Sequence, residues 1–211
     1  MFDYAREHRV IVLNPLDEID RPSVRYVEPG ILTPEEFKKL LVMAESEFPA
    51  LFPFLAIAGF AGVRREELLR EYADDQVLLW SDFKWDKRII EVRSDVAKRT
   101  SRKTGDRRFV PMEQALIDWL SPYRKEAGTV IEIVDSAFRR QFKRLCEAVK
   151  HKPLRNSLRH SYASYALART SKEGLGRLAL QMGNSESVIR RHYLEVLSQE
   201  DGEAWFGIRR D

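Results

Sequence analysis

Cysteine is nearly absent from this chain, since Cys146 is the single one among 211 residues. A disulfide within the chain is therefore excluded, and the composition is typical of a protein from a reducing compartment such as the cytoplasm. Cys146 follows Phe142-Lys-Arg-Leu145, in which two basic residues stand between two apolar ones. This setting predicts a buried, unreactive thiol and not a nucleophile.

Long hydrophobic runs are also missing. The longest apolar stretch, residues 48–63, contains Pro49 and Pro53 and is shorter than the roughly 20 residues that a membrane-spanning helix needs. The first residues have no apolar run behind a basic start, so they do not resemble a signal peptide. We therefore expect no membrane partner and interpret residues 48–63 as a core helix.

Metal-ligand patterns and internal repeats are absent too. The four histidines are scattered and no Cys/His cluster has the spacing of a metal site, so the sequence predicts no metal centre. What the chain does contain is 44% apolar and 33% well-mixed charged residues, which is typical of a globular protein with a core. The length allows one large domain, or one domain plus a fragment.

Helical periodicity dominates the sequence. Thr33 can cap a helix that begins at Pro34 and carries acids in its first turn, and apolar residues then recur at helical spacing from Phe37 to Ala44. Further helices are predicted near residues 51–59, from Val63 onward, and near 112–123, 135–149, 157–169, 174–182 and 186–197.

A section in the middle of the chain has the composition of β-strands. Residues 77–80, 88–92 and 107–110 are predicted as short strands, with a turn at 85–87 and a long basic connection at 94–106. The predicted fold class is therefore mostly α with a small antiparallel β-sheet (α+β). Turn-forming pairs such as Asn14-Pro15 and Pro29-Gly30 separate an N-terminal segment, residues 1–30, from a main domain, residues 31–211.

Positive charge is concentrated in two stretches, although the formal net charge is only +3 and the isoelectric point about 9.0. Residues 98–108 hold six cations against one acid, and residues 139–159 hold eight against Glu147. Either stretch alone is explained equally well by a solvated face, but the two together favour contacts with a DNA backbone. The candidate DNA-binding residues are Arg99, Arg102, Lys103, Arg107, Arg139, Arg140, Lys143, Arg144, Lys152 and Arg155.

Several separate motifs carry potential chemistry. Arg64 follows a Gly-Val step into a helix, where a guanidinium and a helix N-terminus can both bind an anion. Arg159 opens a helix after the second basic stretch, Gly183-Asn184 marks a helix stop, and Tyr193 ends the following helix. Taken singly, each motif is explained more readily by a surface arginine or a core tyrosine.

In combination these elements resemble the catalytic domain of the tyrosine recombinases, the phage integrase family. That family has a Thr-Gly-Leu-Arg-like box, a hairpin lysine, a His-x-x-Arg box, a Gly-His step and a tyrosine nucleophile. Residues 61–64 (Ala-Gly-Val-Arg) correspond to the first box, with Glu67 at the family's following Glu, and residues 80–82 resemble its segment entering the sheet. Residues 156–161 correspond to the second arginine box, 183–185 to the Gly-His step, and Tyr193 follows at the usual spacing. The resemblance covers residues 31 to 198.

The resemblance implies the tyrosine recombinase catalytic-domain fold and a reaction. Tyr193 would attack a DNA phosphate and form a 3′-phosphotyrosine, with no cofactor or metal, and a second strand's 5′-hydroxyl would reverse the step. Arg64 and Arg159 would hold the non-bridging oxygens, Asn156 and Asn184 would add hydrogen bonds, and a lysine would protonate the leaving 5′-oxygen. Counting forward from residues 89–92 favours Lys98 for this lysine, and counting back from residues 110–111 leaves Lys103 open.

The implied partners are double-stranded DNA and further copies of the chain, as a tetramer on DNA, in a bacterial or phage-infected cytoplasm. Residues 1–30 resemble the end of the family's N-terminal DNA-binding domain and its linker, so we expect weak DNA binding by this chain alone. The apolar tail, residues 203–208, would dock either on a neighbouring protomer or on its own chain.

Two residues depart from the family pattern and keep further functions open. The family commonly has His at the position of Asn156, and His or Trp at that of Asn184, and an amide cannot accept and hold a proton. The chain could thus be an integrase-like protein that binds DNA without cutting it. It could also be a type IB topoisomerase-like strand transferase or, in a different class, a helical protein-interaction module with incidental basic faces.

Overall fold

A computed structural model describes residues 2–17, 19, 30–97, 107–151, 156–170, 174–192 and 197–210. The helices are α1 (Phe2–Glu7), α2 (Pro34–Glu47), α3 (Phe52–Ala61), α4 (Arg65–Leu68), α5 (Ser94–Ala97), α6 (Gln114–Leu120), α7 (Asp135–Ala148), α8 (Ser157–Ala168), α9 (Leu175–Met182), α10 (Glu186–His192) and α11 (Gln199–Phe206). The strands are β1 (Phe83–Lys84), β2 (Ile89–Val92) and β3 (Arg108–Pro111). A mostly helical chain with a small antiparallel sheet confirms the predicted fold class.

Helix α2 begins where its capping residues predict. The Thr33 hydroxyl accepts from the Glu36 amide at 3.2 Å, and the Glu36 carboxylate accepts from the Thr33 amide at 2.8 Å. These two bonds satisfy N–H groups that have no partner inside a helix. The apolar face from Phe37 to Ala44 is buried against the next helix, as its periodicity predicts.

Helix α3 forms the centre of the core. All of its residues except Pro53 are buried, and it packs against α2, α6 and α8. A helix that is apolar on every side is stable only inside a protein, so its neighbours must surround it. Within the described ranges, the hydrophobic core begins at Ile31 and Leu32. The described helices include none long and apolar enough to cross a membrane.

The sheet is antiparallel, with strand order β1-β2-β3. Ile90 pairs with Phe83 on one side and with Val110 on the other, and all three are buried. The turn between β1 and β2 is a short 3-10 helix that ends at Arg88 in the left-handed conformation, at φ 53°. The turn and the second and third strands are therefore confirmed.

The prediction of a first strand at residues 77–80 is wrong. Leu79 is extended and forms an isolated bridge with Thr129, but the Leu78 amide donates to the Glu67 carbonyl at 2.8 Å and its carbonyl accepts from the Val130 amide at 3.2 Å, outside the sheet. The Asp82 carboxylate then accepts from the Leu79 amide at 2.8 Å and turns the chain into a 3-10 helix, so that β1 begins only at Phe83. The basic connection also begins with a helix, α5, and its remainder, 98–106, lies outside the described residues.

Candidate functional site

Arg64 lies between two helices at the centre of the candidate site. Helix α3 ends at Gly62, which adopts the left-handed conformation at φ 60° and lies so close to the Tyr162 ring that a Cβ would be 2.2 Å from it. Glycine is therefore required for this turn. Arg64 then caps α4 and donates from Nη1 to Glu67 at 3.2 Å, with 17% of its side chain exposed.

Glu67 is a fully buried carboxylate that binds two arginines. It accepts from the Arg64 amide at 3.0 Å and from both terminal nitrogens of Arg108, at 2.8 and 2.6 Å. Burial alone would raise the pKa of Glu67. The hydrogen bonds and charge of Arg108, together with the charges of Arg64 and Arg159, outweigh this and hold its pKa below the usual value.

Arg159 reaches the same place from the first turn of α8. Its guanidinium donates to the Gly62 carbonyl and, at 2.7 Å, to the Met182 carbonyl at the end of α9. Arg64 in turn donates to the Gly183 carbonyl and to Asn184 Oδ1, the latter at 3.2 Å. The structure therefore brings together Arg64, Arg159 and Asn184, which lie far apart in the sequence.

The end of α9 is the element on which these side chains meet. Gly183 is left-handed at φ 63°, and the Asn184 amide donates back to Ala179 at 2.9 Å, which ends the helix. A Cβ on Gly183 would lie 2.8 Å from Nη1 of Arg64, so a side chain there would displace the guanidinium. Glycine at this position allows the close approach of the arginine.

Arg108 is the residue of this cluster that the sequence analysis missed as a site residue. Its side chain is 9% exposed and lies between Glu67 and the Gln181 carbonyl, to which Nε donates at 2.9 Å. In β3, Arg108 and Val110 are buried and Phe109 is exposed. This alternation was the signal that could have placed Arg108 inside, because alternate strand residues share one face.

The cluster has three guanidinium groups, those of Arg64, Arg108 and Arg159, and one carboxylate, that of Glu67. Two formal positive charges therefore remain, in a partly buried setting where a charge is screened less than in water. Guanidinium groups match the paired oxygens of a phosphate, and they stabilise negative charge that grows in a transition state. The arrangement can hold a phosphodiester and neutralise it.

Asn156 lies one helical turn before Arg159 but is not part of this hydrogen-bonded cluster. It is exposed, in the left-handed conformation at φ 59°, just before α8 begins. Together with Arg159 it lines a cavity of about 640 Å³, which also touches Arg65, Asp135 and Arg139. Asn156 thus lies in the lining of this cavity, and its role at the phosphate stays a prediction.

Comparison with known proteins identifies the fold. No family model and no curated protein sequence matches this chain. Solved structures do match: a lambda integrase dimer bound to a COC′ core site has a TM-score of 0.65 at 19% identity and covers 91% of this chain. XerA recombinase has a TM-score of 0.59 at 19% identity over 86% of this chain, and the Tn1549 transposon integrase with circular intermediate DNA has 0.59 at 19% over 93%.

This chain has the tyrosine recombinase catalytic-domain fold. It spans 64% of the XerA recombinase chain, less than two thirds, and 68% and 71% of the lambda and Tn1549 chains. The fold that the motif resemblance implied is thus confirmed by the arrangement of helices and strands.

Some of the predicted site residues fall outside the described ranges. These are Lys98, Arg99, Arg102, Lys103, Lys152, Arg155 and Tyr193. The described chain stops just before Tyr193, where α10 ends at His192 with Ile189 fully buried, and α11 begins at Gln199.

Four of the six predicted DNA-binding residues in the second basic stretch share one helix of the tyrosine recombinase fold. Arg139, Arg140, Lys143 and Arg144 are carried on α7, whose opposite face buries Phe138, Leu145 and Cys146. Arg139 also donates to Asp135 at 2.6 Å and lines the cavity beside Arg159. Helix α7 thus borders the cavity beside Arg159, where the arginines Arg65 and Arg139 are paired with Asp135.

Two further predicted features lie away from the cluster. Arg107, at the start of β3, donates to Glu91 at 2.8 Å and lies 4.8 Å over the Phe109 ring. Cys146 is fully buried, and its burial, aided by the charge of Glu147, raises the thiol pKa to about 11. A thiol with this pKa is protonated at neutral pH, in agreement with the prediction of an unreactive side chain.

Proposed function

We propose that this chain is the catalytic domain of a site-specific DNA recombinase or integrase, which cleaves and rejoins strands through a 3′-phosphotyrosine on Tyr193. The proposal rests on the fold together with one local observation. Arg64 and Arg159, 95 positions apart, donate to the carbonyls of the adjacent residues Met182 and Gly183. Two guanidinium groups held side by side form the kind of clamp that a phosphodiester reaction requires.

The clamp would act on the non-bridging oxygens of the scissile phosphate. A guanidinium has five N–H donors, and the contacts of Arg64 with Glu67, Gly183 and Asn184 use three of them. The remaining N–H groups of Arg64 can bind phosphate oxygens without loss of the contacts that orient the side chain. Asn184 would add a hydrogen bond from its amide, and Asn156 would do so from the lining of the cavity.

Tyr193 would attack phosphorus, and the 5′-oxygen would leave with a proton from a lysine. A phenol has a pKa of about 10 in water, so two nearby guanidinium groups would favour the phenolate form that attacks. We propose Lys98 as the general acid, with Lys103 as the alternative. The phosphotyrosine would retain the bond energy for attack by another strand's 5′-hydroxyl.

DNA would reach the clamp along the exposed cations of α7. Arg139 lines the same cavity as Asn156 and Arg159, so the helix that carries these cations borders the proposed site. We propose that Arg99, Arg102, Lys103, Arg107, Lys152 and Arg155 also contact the DNA backbone. The similar lambda integrase binds its core site as a dimer and a Holliday junction as a tetramer. We propose that this chain likewise self-associates on DNA, as a tetramer.

A second candidate function is DNA binding without cleavage. Asn184 accepts a hydrogen bond from Arg64, and neither it nor Asn156 can take up a proton from the nucleophile. Proton transfer from Tyr193 would then depend on another group or on water. If none is placed to do this, the clamp would bind a phosphate and the reaction would stop there.

A covalent trapping assay separates these functions. The probe is a pool of short duplexes of randomised sequence, each nicked so that the cleaved fragment diffuses away and religation cannot occur. We expect an adduct that survives denaturing electrophoresis with the native chain and none with Tyr193→Phe. Retardation of the duplexes without any adduct would overturn cleavage and leave the binding function.

The same preparation tests the topoisomerase-like and protein-interaction functions. Relaxation of supercoiled plasmid without exchange between sites would indicate a topoisomerase-like strand transferase. Absence of DNA retardation at low salt would contradict both DNA functions and leave a protein-interaction module, because Lys/Arg contacts with phosphates are strongest at low salt.

A further inference from the structure

Three arginines bind three consecutive carbonyl groups at the end of α9. Arg108 donates to Gln181 at 2.9 Å, Arg159 to Met182 at 2.7 Å, and Arg64 to Gly183. The last carbonyls of a helix have no partner within it and carry the negative end of the helix dipole. The end of α9 therefore fixes the spacing of the three guanidinium groups.

Arg108 differs from the other two arginines in its surroundings. Each of its three nitrogens donates inside the protein: Nε to Gln181, Nη1 to Glu67 at 2.8 Å and Nη2 to Glu67 at 2.6 Å. Only 9% of the side chain is exposed, against 17% for Arg64. Its deeper burial, more than the number of its hydrogen bonds, therefore places Arg108 to hold its neighbours and not to contact a phosphate.

Glu67 transmits the position of Arg108 to Arg64. Its Oε1 accepts from both Arg108 and Arg64, and its Oε2 accepts from Arg108 and from the Arg64 amide. Since Glu67 is fully buried, its carboxylate needs these donors to remain ionised. Without Arg108, the Glu67 carboxylate would either take up a proton or rotate toward Arg64.

We propose that Arg108 is a positioning residue for strand cleavage, which orients Arg64 through Glu67 and the end of α9. This inference rests on the proposed function, because it assigns Arg64 to the phosphate. It predicts that the geometry of the clamp depends on a side chain that never touches DNA. Loss of Arg108 should affect the reaction rate much more than DNA affinity.

The first test compares Arg108→Gln and Arg108→Lys with the native chain. We expect Arg108→Gln to slow single-turnover adduct formation by about 100-fold, as for loss of an oriented donor in other enzymes. DNA affinity should stay within about threefold, because affinity depends on phosphate contacts that Arg108 does not make. Arg108→Lys should lie between, since a lysine can reach one carboxylate oxygen but lacks the planar fork.

Arg93→Gln is the matched control. Arg93 follows the neighbouring strand β2 and donates to Asp82, of which only 6% is exposed, so this variant also loses a partly buried ion pair. It contacts neither Glu67 nor α9 among the described residues. Thermal unfolding should show both variants less stable than the native chain. The cleavage rate, measured well below both unfolding temperatures, should fall only in Arg108→Gln.

A second readout does not depend on activity. In the full chain without DNA, the Nε–Hε nuclear magnetic resonance signal of Arg64, assigned through Arg64→Lys, should shift or broaden in Arg108→Gln but not in Arg93→Gln. An unchanged Arg64 signal with an unchanged rate would reduce Arg108 to a structural ion pair and overturn the inference. If the native chain forms no adduct at all, the proposed function fails, and the Arg64 signal alone decides whether Arg108 orients this side chain.

Discussion

Glu67 affects both the stability of the protein and the chemistry of the candidate site. It is fully buried, and it remains charged only because Arg108 and Arg64 donate to both of its oxygens. A buried carboxylate with two cationic neighbours makes the cluster sensitive to any change of charge.

Glu67→Gln is therefore expected to destabilise the chain by about 3–5 kcal/mol at neutral pH, because it leaves Arg108 buried without a counter-ion. The folded-state pKa of Glu67 is below the ordinary value of 4.5, so its contribution is present above pH 4.5 and is lost as the pH falls through the folded-state pKa. The free energy of unfolding, from urea titrations between neutral and acid pH, should thus fall less steeply in the variant.

The control is Glu132→Gln, because Glu132 is 68% exposed and forms a surface pair with Lys125. A surface pair contributes about 0–1 kcal/mol, so this control should follow the native pH curve. Parallel acid limbs for Glu67→Gln and the native chain would contradict the assigned role of the Glu67 carboxylate.

Sequence patterns predicted Arg64, Arg159 and Asn184 but not Arg108. The first three occupy motif positions whose spacing can be recognised without a structure. Arg108 stands next to Arg107 in a basic stretch, where a count of charges treats the two alike. Strand alternation puts Arg108 on the same face as Val110, but the register of β3 on β2, where Val92 pairs with Arg108, decides that this face is the buried one. That register is a tertiary property.

At the scale of elements, helix α11 shows where the apolar tail, residues 203–208, packs. The sequence left docking on a neighbour or on its own chain equally open. In the structure, Trp205 stacks between Phe37 and Tyr165, each with ring centroids 4.5 Å away, and its Nε1 donates to Gly59 at 2.9 Å. The tail therefore packs on its own core, directly after the connection that contains Tyr193.

Trp205→Ala should destabilise the chain by about 3–5 kcal/mol, the usual cost of truncating a buried aromatic side chain. Urea unfolding measures this directly. Val188→Ala, at a side chain 37% exposed on α10, is the control and should change stability little. A loss below about 1 kcal/mol in Trp205→Ala would mean that α11 is not part of the folded core.

Helix α7 gives a prediction about DNA affinity. Neutralisation of Arg140 and Arg144 together should weaken binding to a random duplex and reduce the slope of log affinity against log salt by about 0.9 for each phosphate that is no longer neutralised. Arg209→Gln with Arg210→Gln makes the same change in net charge at the C-terminal end. Equal effects of the two double variants on the slope would show that only net charge matters and that α7 does not bind DNA.

The strand predictions show where tertiary contacts override the local sequence pattern. Residues 77–80 have strand composition, but their partners are Glu67 and residues 128–130, and the Asp82 carboxylate turns the chain before a ladder can extend. Residues 88–92 and 107–110 succeed because Ile90 and Val110 pair directly. Helix positions were predictable where caps and periodicity coincide, as at Thr33, and the short helix α5 had neither signal.

At the scale of the whole molecule, the fold brings distant segments to one point. The loop after α3, the start of β3, the first turn of α8 and the end of α9 each supply one part of the arginine cluster. Sequence order could suggest these parts, but their convergence depends on how α3, α8 and α9 pack against one another. The proposed DNA chemistry depends on this convergence and on a phenol in line with it.

Identification of the covalently modified residue tests this account most directly. The adduct from the randomised nicked pool would be digested with nuclease and protease, and the nucleotide-bearing peptide sequenced by mass spectrometry. The account predicts a single nucleotide joined through its 3′-phosphate to Tyr193, lost in Tyr193→Phe and strongly reduced in Arg64→Gln and Arg159→Gln. A modification on any other residue, a 5′-linkage, or equal yields in the arginine variants would contradict it.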